Sequence, residues 1–199
     1  MRALTFALSL LLVAGFTFTM PVEAEAQQSY VFDTDNSTIH MYGTSNVRDW
    51  DAVVVMQNEE ILVSDENPGE NWIETLNFEM PVSEIDSDSR RLNNNIHDYL
   101  GIDNHPNIYF SLIEITDIAE SGSGYQVTAD GNLTVGGVER TVTLTADATV
   151  NGNGSIQIQG SYDTLMTEFD IDPPTAMMGS IRAEDEVEIK FDVTLVPGS

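Results

Sequence analysis

The chain of 199 residues contains no cysteine. That excludes disulfides, thiolate metal sites and cysteine nucleophiles. It also excludes the lipid-modified cysteine of a lipoprotein. Cations are nearly as scarce. Lys and Arg number 7 against 33 Asp and Glu, the formal net charge is −26, and Lys190 is the only lysine. Nucleic acid is disfavoured as a partner, because neutralising phosphates needs basic groups. An anionic membrane surface is disfavoured as a resting place in dilute salt. At molar ionic strength the Debye length falls to about 3 Å and self-repulsion fades. The acidic, lysine-poor surface therefore reads as suited to saline surroundings, with an ordinary acidic exported protein as the plainer alternative.

Catalytic and metal-binding signatures are missing as well. There is no G-x-S-x-G elbow and no Gly-rich loop placed between a strand and a helix. The histidines number 3. His97 and His105 stand near Asp98 and Asp103, but that spacing is not a ligand pattern of any specificity. The acidic run Glu84 to Asp88 lacks the glycine and terminal glutamate of a calcium loop. No metal site and no catalytic residue is assigned, and the chain does not read as an enzyme.

Long apolar runs are limited to Ala3–Phe18, which follows Arg2 and precedes the small-x-small pattern Ala24-Glu25-Ala26. This reads as a secretory signal peptide over residues 1–26, cut after Ala26. The run is short for a spanning helix and no second one follows, so no stable membrane insertion is expected. Residues 27–199 remain as one domain with a sizeable core, located in a periplasm or secreted.

What fills that domain is alternation. Ile39 and Met41 alternate with Thr38, His40 and Tyr42, which places His40 on the outer face. Leu76, Phe78, Met80 and Val82 share one face of a strand starting near Trp72. Val53–Met56 and Glu60–Val63 suit a hairpin. Val187, Ile189, Phe191, Val193 and Leu195 alternate with Glu186, Glu188, Lys190, Asp192 and Thr194. A one-residue slip there would turn every apolar group into water, so the register is well specified. Glu184-Asp185-Glu186 reads as the polar lead into that strand. One helix is expected over Ser89–Leu100, since Leu92, Ile96 and Leu100 recur every four residues. Asp88 or Ser89 can cap its start, and Gly101 suits its end.

The stretch Gly131–Ala146, GNLTVGGVERTVTLTA, holds two alternating arms around Gly136-Gly137. Glycine takes the positive φ of a tight primed turn without steric cost, so this reads as a β-hairpin. The same stretch resembles the hairpin motif of the YceI-like proteins, which are polyisoprenoid-binding, lipocalin-like barrels. Three other stretches resemble that family: YVFDTDNSTIHMYGTS at the start of the domain, the Ser45–Trp50 corner, and NHPNIYF after the helix. Arg48 stands where the family frequently has histidine. In Met166–Ile171, Thr167 replaces a usual arginine and Asp170 a usual glycine.

Alternation alone allows a sandwich or a barrel. The resemblance implies an all-β fold: an antiparallel lipocalin-like barrel of about eight strands, with one helix closing an end. It also implies an elongated apolar cavity for an isoprenoid chain such as a quinone tail. The candidate lining is the apolar face of each strand: Ile39, Met41, Leu76, Phe78, Met80, Phe110, Leu112, Leu133, Val135, Leu144, Val187, Ile189, Phe191 and Val193. Burying a methylene is worth roughly 0.8 kcal/mol, so a few isoprene units suffice for micromolar affinity. The expected partner is thus an apolar or amphiphilic lipid. No cofactor is expected beyond a bound isoprenoid or quinone as ligand. A barrel filled by its own side chains, acting structurally or in a stress response through protein partners, is the alternative. The oligomeric state stays open, a homodimer included.

Overall fold

A computed structural model of the chain describes residues 28–64, 68–69 and 72–198. The expected signal peptide, residues 1–26, lies outside the described residues. So does most of the connection at 65–71.

Among the described residues eleven strands and one α-helix follow in order: β1 (Gln28–Phe32), β2 (Thr38–Ser45), β3 (Trp50–Val54), β4 (Gln57–Val63), β5 (Ile73–Pro81), α1 (Arg90–Tyr99), β6 (Asn107–Ser121), β7 (Gly124–Val135), β8 (Val138–Val150), β9 (Ile156–Leu165), β10 (Thr175–Ala176) and β11 (Ile181–Pro197). Their pairing runs β1-β4-β5-β6-β7-β8-β9-β11, and β11 pairs back to β1, so the sheet closes. The result is an eight-walled antiparallel barrel with extra strands and a single helix. Closure removes the unpaired edge that would otherwise invite aggregation.

Two of the walls are broken strands. Along the edge of β11 that faces away from β9, residues 183–192 pair with β2 and residues 195–197 with β1, so β1 and β2 continue one another around a 3₁₀ turn at Thr34–Asn36. Likewise β3 pairs with β2, whereas β4 pairs with β1 and β5. The hairpin expected over Val53–Met56 and Glu60–Val63 is therefore not formed. The two runs point the same way along the wall. Only Val55 and Met56 separate the strands, and neither residue suits the positive φ that a tight reversal demands.

The hairpin at Gly136-Gly137 forms as read. Val135 faces Val138 across it, and φ is 57° and 81° at the two glycines, a type I′ turn. Strand β11 binds β9 through Glu186–Leu195, and Val187, Ile189, Phe191, Val193 and Leu195 turn inward throughout. It begins earlier than its polar lead suggested, at Ile181. Strand β10 pairs with those first residues, and Thr167 donates from its backbone N (3.0 Å) and its Oγ1 (2.6 Å) to the Asp185 carboxylate.

The helix is capped by Ser89, whose hydroxyl accepts from the Leu92 backbone N at 3.4 Å. Gly101 follows it with φ 70°. The lead-in to α1 bridges β3 through Val53 and Asp86. Beyond its other end, the His105 ring covers Gly137, and a Cβ on Gly136 would lie 3.7 Å from the Leu100 carbonyl oxygen. The helix thus crosses one end of the barrel from β3 to the β7–β8 tip. Trp72, Ile156 and Leu195, all fully buried, fill the opposite end, where Trp72 meets Tyr125 at 6.4 Å between ring centroids.

Candidate ligand cavity

The barrel encloses a cavity of about 520 Å³, within the range of pockets that hold small ligands. The interior is therefore not filled by its own side chains. Ile39 and Met41 reach it from β2, Leu76, Phe78 and Met80 from β5, and Phe110 and Leu112 from β6. Leu133 and Val135 come from β7, Leu144 from β8, and Val187, Ile189, Phe191 and Val193 from β11. Every candidate lining residue of the sequence analysis faces this lumen. Alternation gives the reason, since successive side chains of a strand point to opposite faces and a one-residue slip of register would turn the whole apolar set outward.

The space has a structural cause in glycines that lie under aromatic rings. A Cβ on Gly131 would stand 2.5 Å from Phe110 Cζ, and one on Gly160 would stand 2.5 Å from Phe191 Cζ. Both rings lie flat against the wall because these positions carry no side chain. Trp50 covers Gly43 in the same way at the β2–β3 corner. Phe78 stacks on Phe110 at 5.2 Å and meets Phe32 edge-on at 5.4 Å, forming an aromatic stretch of wall. Beside it, Ala129, Ala146 and Ala148 keep the β7–β8 wall short.

Sequence reasoning missed several lining groups. Trp72, Ile115, Val127, Val142 and Ile158 continue the inward faces. Leu92, Asn95, Ile96 and Tyr99 come from α1, and Phe169, Ile171 and Ala176 from the segment after β9. The helical periodicity of Leu92 and Ile96 was the available signal for the first group of these. The segment after β9 gave none, because its 3₁₀ turn (Met166–Phe169) is too short to show a period.

Polar lining is confined to the α1 end: Ser45 and Arg48 at the β2–β3 corner, Ser89, Arg91, Asn95 and Tyr99 on or beside α1, Tyr162 and Thr164 near the end of β9, and Thr175 on β10. A second depression, of about 560 Å³, lies by the outer wall with Asp49, Asp163, Glu168, Glu186 and Glu188 around it. No group of three or more metal-ligating side chains is gathered among the described residues. His97 instead has Nε2 3.1 Å from the Ile85 carbonyl oxygen, tying the helix to its lead-in. His40 faces outward and stacks on Tyr42 at 5.8 Å. Among the described residues no helix is long and apolar enough to cross a membrane.

Comparison with solved structures finds the same fold. BcnA of Burkholderia cenocepacia is 20% identical, with a TM-score of 0.63, covering 82% of this chain and 99% of that one. A polyisoprenoid binding domain from Saccharophagus degradans, implicated in plant cell wall breakdown, is 11% identical with a TM-score of 0.67, covering 86% and 99%. The YCEI protein of Campylobacter jejuni is 12% identical with a TM-score of 0.52, covering 100% and 94%. A search of curated proteins gave no match. The sequence profile of the YceI-like domain matches residues 30–195, from the first wall of the barrel to the end of its last strand. With that match over most of its length, and the barrel built as described, the chain belongs to the YceI-like domain family.

Proposed function

We infer that the protein is a lipid-binding carrier, exported and then free of its signal peptide, that holds the apolar chain of an isoprenoid or similar amphiphile in its barrel. The observation that carries this is the cavity of about 520 Å³ inside the barrel, lined by the inward apolar faces of the strands. The polyisoprenoid-binding domain with the same fold supports the ligand class. The first residues, with their apolar run and Ala24-Glu25-Ala26, support export. A quinone tail is one ligand of this kind. Binding rather than catalysis is the role that the polyisoprenoid binding domain of the same fold supports.

Purification without detergent, solvent extraction and mass spectrometry test this reading directly. The expected result is a co-purifying isoprenoid or related amphiphile. In lipid-stripped protein, an added long-chain quinone should raise the melting temperature. Protein that neither carries nor takes up such a lipid would remove the carrier assignment.

A further inference from the structure

The charge of the cavity lining runs opposite to the charge of the chain. The protein carries 33 Asp and Glu against 7 Lys and Arg. Yet among the described residues no carboxylate lines the cavity, and the charged groups that do are Arg48 and Arg91. Neither guanidinium has an ion-pair or hydrogen-bond partner among the described residues, where the ion pairs are Arg140 with Asp170 and Lys190 with Glu188. Two arginines at the opening of an apolar cavity, with no carboxylate beside them among the described residues, are well placed to meet an anion.

The backbone around them is fixed. The Arg48 carbonyl accepts from Ser45 N (3.1 Å) and Ser45 Oγ (2.7 Å), and Arg48 N donates to Ser45 Oγ (3.1 Å). Arg91 sits in the first turn of α1, just after the Ser89 cap. The Val53–Asp86 bridge brings the lead-in of α1 against the strand that follows Arg48. The cavity is plugged at its other end by Trp72 and Leu195. An amphiphile seated tail-first therefore leaves its headgroup at the arginine end.

We propose that Arg48 and Arg91 select amphiphiles with an anionic headgroup, a phosphate or carboxylate, while the lumen takes the apolar tail. This rests on the lipid-binding reading of the same cavity. A guanidinium presents paired N–H donors that match a phosphate or carboxylate, and such charge-assisted hydrogen bonds outweigh neutral ones. The net negative charge of the protein opposes anion approach at long range. Molar salt shortens the Debye length to about 3 Å, which suppresses that repulsion more than a direct contact.

The test uses lipid-stripped full-length protein in molar NaCl and displacement of a fluorescent apolar probe. Two matched pairs are compared: geranylgeranyl phosphate against geranylgeraniol, and palmitate against hexadecanol. Inorganic phosphate alone is the third arm. The acids should displace the probe about tenfold more tightly than their alcohols, a difference of one strong charge-assisted contact. Inorganic phosphate should displace nothing. The Arg48→Gln/Arg91→Gln double variant should lose the preference while keeping alcohol affinity. Lys190→Gln, which removes a cation from the outer wall, should keep it. Preference of either acid over its alcohol, lost in the double variant, supports the assignment. Equal binding of acids and alcohols, a preference that survives in the double variant, or one that Lys190→Gln removes overturns it and leaves the cavity reading standing. Displacement by inorganic phosphate alone overturns it in favour of a free-anion site. Failure of every lipid to displace the probe removes the cavity reading, and the headgroup assignment with it.

Discussion

Replacing Ala129 with phenylalanine separates a hollow barrel from a filled one by the sign of the change. Ala129 stands on β7 with Ile115 and Leu144 as its cross-strand partners, faces the lumen and is half-buried. In a close-packed core the added ring would force its neighbours aside at a cost of about 1–3 kcal/mol. In a lumen of about 520 Å³ the ring has room. Burying a Phe side chain contributes roughly 1.5–3 kcal/mol as an upper bound, since the unfolded chain already shields some of it. Phenylalanine is also a better strand residue than alanine. For a domain of this size 1 kcal/mol moves the melting temperature by about 2–4 °C. Lipid-free Ala129→Phe should therefore melt about 2–6 °C above the parent protein. Calorimetry on stripped samples reads that shift, and an apolar fluorescent probe should bind more weakly because the ring takes its space. A melting temperature several degrees lower, with probe uptake unchanged, would refute the hollow lumen.

Further substitutions and conditions probe the features that shape the cavity. Gly160→Val should cost about 1–3 kcal/mol or more in urea unfolding, because its Cβ would meet Phe191 Cζ at 2.5 Å and the Thr145 carbonyl oxygen at 2.9 Å. An unchanged midpoint would show that Phe191 does not rest on the wall. Ser89→Ala should lower stability by about 1 kcal/mol through loss of the hydroxyl that caps α1, with Ser89→Asp restoring most of it. Raising NaCl from millimolar to molar should raise the urea midpoint, since a net charge of −26 is opposed by few cations. A flat or falling midpoint would separate the acidic surface from any adaptation to salt.

Most of the wall was legible in the sequence because the period of two reports directly on which face is wet. In β11 all of Val187, Ile189, Phe191, Val193 and Leu195 keep that period and all turn inward. The helix was legible from its periodicity and from Ser89 and Gly101 at its ends. Alternation fails where the strand breaks it. In β6 the register shifts between Leu112 and Glu114 and again between Ile115 and Asp117. These irregularities carry the inward set from Ile108, Phe110 and Leu112 to Ile115 and Ile118, and leave Ile113 exposed. A bulge adds a residue to one strand without a local sequence mark strong enough to place it. The course of β3 into β4 was misread for a related reason: apolar spacing shows faces, whereas reversal is decided by turn chemistry that Val55 and Met56 lack. The emptiness of the barrel was not legible at all. It depends on Gly131 meeting Phe110 and Gly160 meeting Phe191, residues brought together only by register across the sheet.

The opening was equally invisible, because it is assembled from segments remote in the chain: the β2–β3 corner, α1, and residues 162–176 after the middle of β9. Arg48 was visible only as a departure from a family pattern, and Arg91 only as a polar position in a helix. Their meaning comes from what surrounds them. A carboxylate inside an apolar lumen would lose its hydration without a partner, which is costly; among the described residues none lines the lumen, and Asp163, Glu168 and Glu186 surround a groove on the outer wall instead. The same cost would fall on a cation deep in the lumen, so Arg48 and Arg91 stand at the exposed end, where water serves them until an anion arrives. Trp72 and Leu195 block the other end, leaving one polar opening and one apolar depth. Such a one-ended gradient fixes the direction of an amphiphile before any specific contact is made: its tail must lead and its headgroup must stay beside the arginines.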